Sequence, residues 1–175
     1  MECLEDLRAA ERKVISDVEA LLDDVRGIVS CSPQSAEEAV TLLSQLRETS
    51  YEDLNQIQHE YPILAAATWL VDNKQVPLSC EWYWNPRQTG GAKEPDLRGE
   101  CNGHIVVSAE VTTSRRPVGT ILGRMSTTLL KLEALPGDRY YFVRTEKMRT
   151  KASAIVQAQG LNIKVVALPH AVADL

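Results

Sequence analysis

Apolar side chains at Leu4, Leu7, Val14, Val18, Leu21, Val25 and Ile28 follow alternating spacings of three and four, broken once at Glu11. This pattern predicts a long N-terminal helix with a coiled-coil-like stripe. Such a stripe needs a partner, either the next helix of the same chain or a second copy in a dimer. Ser32-Pro33 reads as an N-cap and first helical residue, and Ala36, Ala39, Val40, Leu43 and Leu46 could pack back on the first helix. From Ser50 a new helical pattern begins, supported by Asp53 and carried by Leu54, Ile57, Tyr61, Leu64, Ala65 and Trp69. Pro62 must kink that helix or start another. A strand is expected over 78–85, a loop of turn residues over 86–93, and then a β-hairpin. Past Pro117 the pattern predicts a helix over 120–134 with Ile121, Met125, Leu129 and Leu132 buried, stopped by Pro136-Gly137. A strand over 139–145, a helix over 148–159 closed by Gly160, and a buried strand over 162–168 complete the chain. The fold class expected is α/β, a mixed sheet flanked by helices with an N-terminal helical hairpin. Three regions follow: an acidic helical region over 1–48, a main domain over 50–168 and a tail over 169–175.

The hairpin between Pro95 and Thr112 carries the chemistry, and its register decides whether Asp96 and Glu110 meet. If Asn102-Gly103 is a two-residue loop, Asp96 pairs with Ala109 and Glu110 points to the opposite face. If the loop is Cys101-Asn102-Gly103 with Gly103 left-handed in a G1 bulge, Glu100 pairs with His104 and Asp96 with Ser108. That register gathers Asp96, Arg98, Glu100, Ser108, Glu110 and Thr112 on one face and the apolar residues on the other, so burial selects it. Asp96 and Glu110 then become diagonal neighbours about 7–8 Å apart at the backbone, close enough to share a hard cation.

Composition narrows the setting. The 175 residues are 44% hydrophobic, enough to bury a core. Cysteines 3, 31, 80 and 101 show no short paired spacing and are read as free thiols. No apolar run approaches membrane-spanning length and the first residues are acidic, so an intracellular, cytoplasmic location is expected. The net charge of −5 is unevenly spread. Residues 1–60 hold 5 Lys or Arg against 14 Asp or Glu, whereas 111–175 hold 10 against 4. The basic part follows the second carboxylate, where a polyanion would lie; the bland alternative is an ordinary solvated surface.

The element order, with Pro95-Asp96 opening one strand and Glu110-Val111-Thr112 closing the next, resembles the restriction-endonuclease-like nuclease superfamily over about residues 50–168. Its motif is Pro-Asp, a spacer, then Asp or Glu, any residue, and Lys. The resemblance implies a restriction-endonuclease-like core in the order helix, three strands, helix, strand. It also implies a magnesium-dependent endonuclease acting on DNA, with manganese as a substitute. Asp96 and Glu110 would be the metal ligands, joined by the Val111 carbonyl and, as in some members, by an acid on the first helix, here Glu60. The alternative for Glu60 is an exposed acid beside Pro62. At the position of the motif lysine this chain has Thr112. A basic residue from elsewhere could take its place, with Lys131, Arg98 and Lys93 as candidates; Thr112 could orient water through its hydroxyl; or the protein could be a non-catalytic nucleic-acid-binding or assembly subunit.

Arg115, Arg116 and Arg124 are the expected phosphate contacts, with Arg98 on the hairpin's polar face. The aromatic run Trp82-Tyr83-Trp84 could stack on bases, although alternation assigns part of it to the core. His59, His104 and His170 lack metal-ligand spacing.

Overall fold

The computed structural model describes residues 1–4, 7–77, 79–85 and 94–168. The expected loop over 86–93 with Lys93, and the tail with His170, lie outside the described residues. Helix α1 (Leu7–Val29) and helix α2 (Ala36–Asp72) form an antiparallel hairpin. Helix α2 begins at a cap one turn later than Ser32-Pro33 suggests: the Ser35 hydroxyl accepts the N–H of Glu38. Glu38 in turn accepts the N–H of Gln34, so two N-terminal donors are satisfied by side chains.

The expected break between residues 48 and 50 is absent as a break in structure, because α2 runs unbroken across it and through Pro62. Proline inside a helix costs about 3 kcal/mol. Here Ile63, Ala66, Ala67 and Leu70, spaced for one helical face, are fully buried on the sheet, and that burial offsets the cost.

Among the described residues the sheet holds six strands in the order β1 (Glu2–Cys3), β2 (Glu81–Trp84), β3 (Leu97–Cys101), β4 (His104–Thr112), β5 (Asp138–Val143) and β6 (Lys164–Ala167). The first four pair antiparallel, and β4, β5 and β6 pair parallel. The two-residue β1 lies in the stretch expected to open the first helix; Leu4 follows it and donates its N–H to the Trp82 carbonyl. Parallel neighbours need crossover helices, supplied by α3 (Thr120–Glu133) and α4 (Glu146–Gln159). Thr145, expected at the end of a strand, instead caps α4 by accepting the N–H of Met148.

Helix α2 covers one face of the sheet, over Trp82, Trp84, Leu97, Val107, Ala109, Tyr140 and Phe142. Helices α3 and α4 cover the other, where Met125, Leu129, Leu132 and Met148 pack on Tyr141 and Val143. The buried Trp82 and Trp84 are thus core residues.

Two sequence expectations are corrected at the hairpin. The turn is the two-residue Asn102-Gly103, both with positive φ (53° and 75°), and Cys101 pairs with His104. This is the type I′ geometry that Asn-Gly favours most. The one-residue shift occurs inside the ladder instead: Glu100 pairs with Ile105 but Gly99 with Val107, leaving Val106 as the additional residue of β4. Beyond this bulge Leu97 faces Ala109, so Asp96 and Glu110 still share a face.

The four cysteines are not all free, because Cys80 and Cys101 form a disulfide. They sit one position beyond the Glu81–Glu100 pair of the β2–β3 ladder, a relation set by sheet register and invisible in linear spacing. Cys3 and Cys31 are free. The reading of all four as free thiols is therefore corrected for Cys80 and Cys101. No helix among the described residues is long and apolar enough to cross a membrane.

Candidate active site

At the C-terminal ends of β4 and β5 the covering layer opens into a cleft of about 610 Å³. Parallel strands place ligand sites at this end, because crossover loops diverge there. Asp96, Glu110, Thr112 and Arg124 line the cleft together with His59, Tyr141 and the Thr113–Ser114 segment.

The two carboxylates are nearly sealed, Asp96 at 4% and Glu110 at 6% exposure. Asp96 Oδ2 accepts the Val111 N–H at 2.8 Å, which fixes the carboxylate across the hairpin. The same oxygen lies 3.5 Å from His59 Nε2. Val111 borders the cleft while its side chain packs with the α2-facing core, so the cleft meets its backbone.

Glu110 is pushed up to about 7 by burial first and by the neighbouring Asp96 charge second. Lys131 opposes that rise: its ammonium donates to Glu110 Oε1 at 2.7 Å and to the Glu94 carbonyl at 2.7 Å. It reaches the site from the last turn of α3. Of the three basic candidates, Lys131 is thus seated on a site carboxylate. Arg98 turns away, pairing with Glu100 at 2.9 Å and lying over the Tyr83 ring at 4.9 Å.

Thr112 accepts the Ser114 N–H through its hydroxyl at 3.3 Å and hydrogen-bonds Tyr141. Burial raises the Tyr141 phenol to about 12, against the pull of that bond. Arg124 borders the cleft, and Arg115 and Arg116 are exposed on the loop before α3. Glu60 is neither exposed nor part of the cleft: it is buried at 1% exposure and pairs with Lys13 of α1 at 3.4 Å. It is therefore separate from the other acids that were candidate ligands.

His59 and Tyr141 were not singled out from sequence as site residues. His59 lies four residues before the fully buried Ile63, so the inward face of α2, continued back one turn, reaches the strand ends at that position. Tyr141 pairs with Glu110 across the β4–β5 ladder, a register that appears only once the sheet order is known.

The donor set suits a hard, hydrated cation. Among the described residues no three His, Cys, Asp or Glu side chains form a metal-holding group. Magnesium, however, often takes one or two carboxylates and keeps several waters, and an open cleft leaves room for them. Comparison with protein-family models, curated proteins and solved structures finds no match to this chain.

Proposed function

We propose that the protein is a magnesium-dependent nuclease of restriction-endonuclease-like type that hydrolyses phosphodiester bonds in DNA. The observation that carries this reading is Lys131, whose ammonium rests on Glu110 beside Asp96. It supplies, from α3, the positive charge that Thr112 cannot. The order helix, three strands, helix, strand from α2 to β5 supports the same reading.

Asp96 and Glu110 would hold the cation, and Val111 could add its carbonyl. Bound there, the ion supplies Lewis acidity and charge neutralisation for displacement at phosphorus. The Val111 N–H holds Asp96 in one orientation, so that carboxylate is preorganised. Lys131 stabilises negative charge developing beside Glu110 and can orient a water through a proton left over from its two present bonds. Arg124 at the cleft, with Arg115 and Arg116 on the adjoining loop, would hold flanking phosphates.

The test is cleavage of labelled duplex and single-stranded DNA in magnesium or manganese. Asp96→Ala is expected to abolish cleavage. Lys131→Met is expected to lower it about a hundredfold or more while leaving manganese binding measurable by calorimetry. A wild-type protein that binds DNA in a salt-sensitive way but cleaves neither substrate would replace this reading with the non-catalytic one.

A further inference from the structure

Helix α2 runs antiparallel to β5. Pro62 lines a small cavity with Thr113 and Arg144, at the strand C-terminal ends, while Gln75, just past the helix, accepts a hydrogen bond from the Tyr140 hydroxyl nearer the other end. Residues 36–56 therefore run past the strand ends, about 30 Å of helix with α1 as its neighbour. Val14 is buried, and Val18, Leu21, Val25 and Ile28 are half-buried along the seam of this arm. On α2 the half-buried residues include Ala39, Leu42 and Leu46. Val40 and Leu43, expected to pack on α1, are instead 63% and 66% exposed.

The arm rises beside the cleft, which α2 borders through His59. Residues 14–56 hold nine acids, among them Glu48, Glu52 and Asp53 in the turns before His59, against two cations, Arg26 and Arg47. Arg26 is paired with Asp23, and Asp17 with Lys13. The opposite wall has the reverse charge: residues 113–131 hold Arg115, Arg116, Arg124 and Lys131 and no acid. Its loop is held in place by the Thr145 hydroxyl, which donates to the Arg115 carbonyl at 3.0 Å. Between the two walls Asp96, Glu110 and Tyr141 are buried on the cleft floor, and Arg124 and Thr127 are exposed at its mouth.

Taking the cleft as a nuclease site, we propose that its substrate is a single strand of DNA laid along the basic α3 wall, and that the acidic arm rejects a complementary strand. Size supports this: a cleft of about 610 Å³ is that of a site for one small ligand, so the recessed carboxylates receive a strand one nucleotide at a time. Charge supports it independently. Phosphates within about 10 Å of the arm feel its acids through physiological salt. A single strand can keep its phosphates on Arg115, Arg116 and Arg124. A duplex carries one charge per about 1.7 Å of axis in two rows, and its width brings the second row toward the arm. That like-charge juxtaposition discriminates against it. Thr113, Ser114 and Thr128 also line the cleft with hydroxyls, able to donate to or accept from base edges that pairing would hide.

Fluorescence anisotropy of one labelled oligonucleotide, single-stranded or annealed to its complement, measures binding in a chelator, separately from cleavage. The full chain is expected to bind the single strand about tenfold or more tighter than the duplex. The triple variant Glu48→Gln, Glu52→Gln and Asp53→Asn, checked for an unchanged circular-dichroism melt, is expected to raise duplex affinity severalfold and to leave single-strand affinity within about twofold. A wild type that binds the duplex as tightly as the single strand, or a triple variant whose preference is unchanged, overturns the proposal. In magnesium, faster cleavage of the duplex than of the single strand also overturns it and leaves the nuclease reading intact. A single-strand preference in binding with no cleavage of either substrate supports the strand selection and removes the nuclease reading.

Discussion

The two faces of the sheet use the same strands for different ends. On the face under α2, Leu97, Val107, Ala109 and Phe142 are fully buried against Ile63, Ala66, Ala67 and Leu70. On the face under α3 and α4, the alternate residues of the same strands are Asp96, Ser108, Glu110 and Tyr141. Strand alternation makes this separation unavoidable, since each residue's neighbours point the other way. Burying a carboxylate is costly unless it is paired, so both acids lie where a cleft, a backbone N–H and the Lys131 ammonium can receive them. Both faces bury apolar side chains, but along β4 the α2 side carries Val107, Ala109 and Val111, whereas the other side carries Ser108 and Glu110. Stability and chemistry are thus divided between opposite sides of a single strand, β4.

The largest test of that division is Phe142→Ala. The side chain is fully buried and stacks with Tyr140 and edge-on to Trp69. Its loss should lower stability by about 3–5 kcal/mol in a urea titration. Cation binding by the fraction still folded should be unchanged, because the Phe142 side chain does not line the cleft. A fall in cation affinity per folded molecule would mean that the faces are mechanically coupled.

A smaller effect, specific to the other face, follows from Glu110. Its folded value of about 7 lies above its ordinary 4.5, so between these values the native state keeps a proton that the unfolded chain has released. Stability from this group is therefore complete below pH 4.5 and is lost as pH rises to about 7, by at most about 3 kcal/mol. Glu110→Gln should remove that slope from stability measured against pH. Manganese binding to the wild type should strengthen as pH rises through the same window, because the cation requires the deprotonated acid. A variant that retains the full slope would place the titration elsewhere.

The sequence carried the alternation that puts Asp96 and Glu110 on one face, because polar and apolar residues sort cleanly in only one parity of pairing. It did not carry where the parity changes: the Asn-Gly turn takes its own preferred two-residue form, and Val106 absorbs the shift within the ladder. The α3 limits were readable from Pro117 and Pro136-Gly137, and the helix ends one residue before the expected limit. The continuity of α2 was not, because local rules for proline say nothing about the sheet beneath Ile63 and Leu70. The Cys80–Cys101 bridge and the approach of Lys131 to Glu110 likewise depend on registers between segments 21 residues apart in sequence. The burial of Glu60 was not legible either, because the apolar stripe of α1 calls for a partner helix but does not say which residue of that partner meets Lys13.

The smallest effect sharpens the comparison at adjacent positions. Ser108 and Ala109 are both fully enclosed, at 1% and 0% exposure, on opposite faces of β4. The Ser108 hydroxyl donates to the Pro136 carbonyl at 2.8 Å, tying β4 to the turn that leads into β5. Ser108→Ala removes that bond and leaves one carbonyl without this donor, so a loss of about 1 kcal/mol is expected. Ala109→Ser puts the same hydroxyl into the apolar α2 face, where surrounding residues are aliphatic or aromatic, and should cost about 1–3 kcal/mol. The two single changes exchange the same atom in opposite directions, yet both should destabilise. If Ala109→Ser proves neutral in the urea titration, the α2 face tolerates polar groups, and the placement of the acids on the cleft side would need a cause other than the cost of burying them.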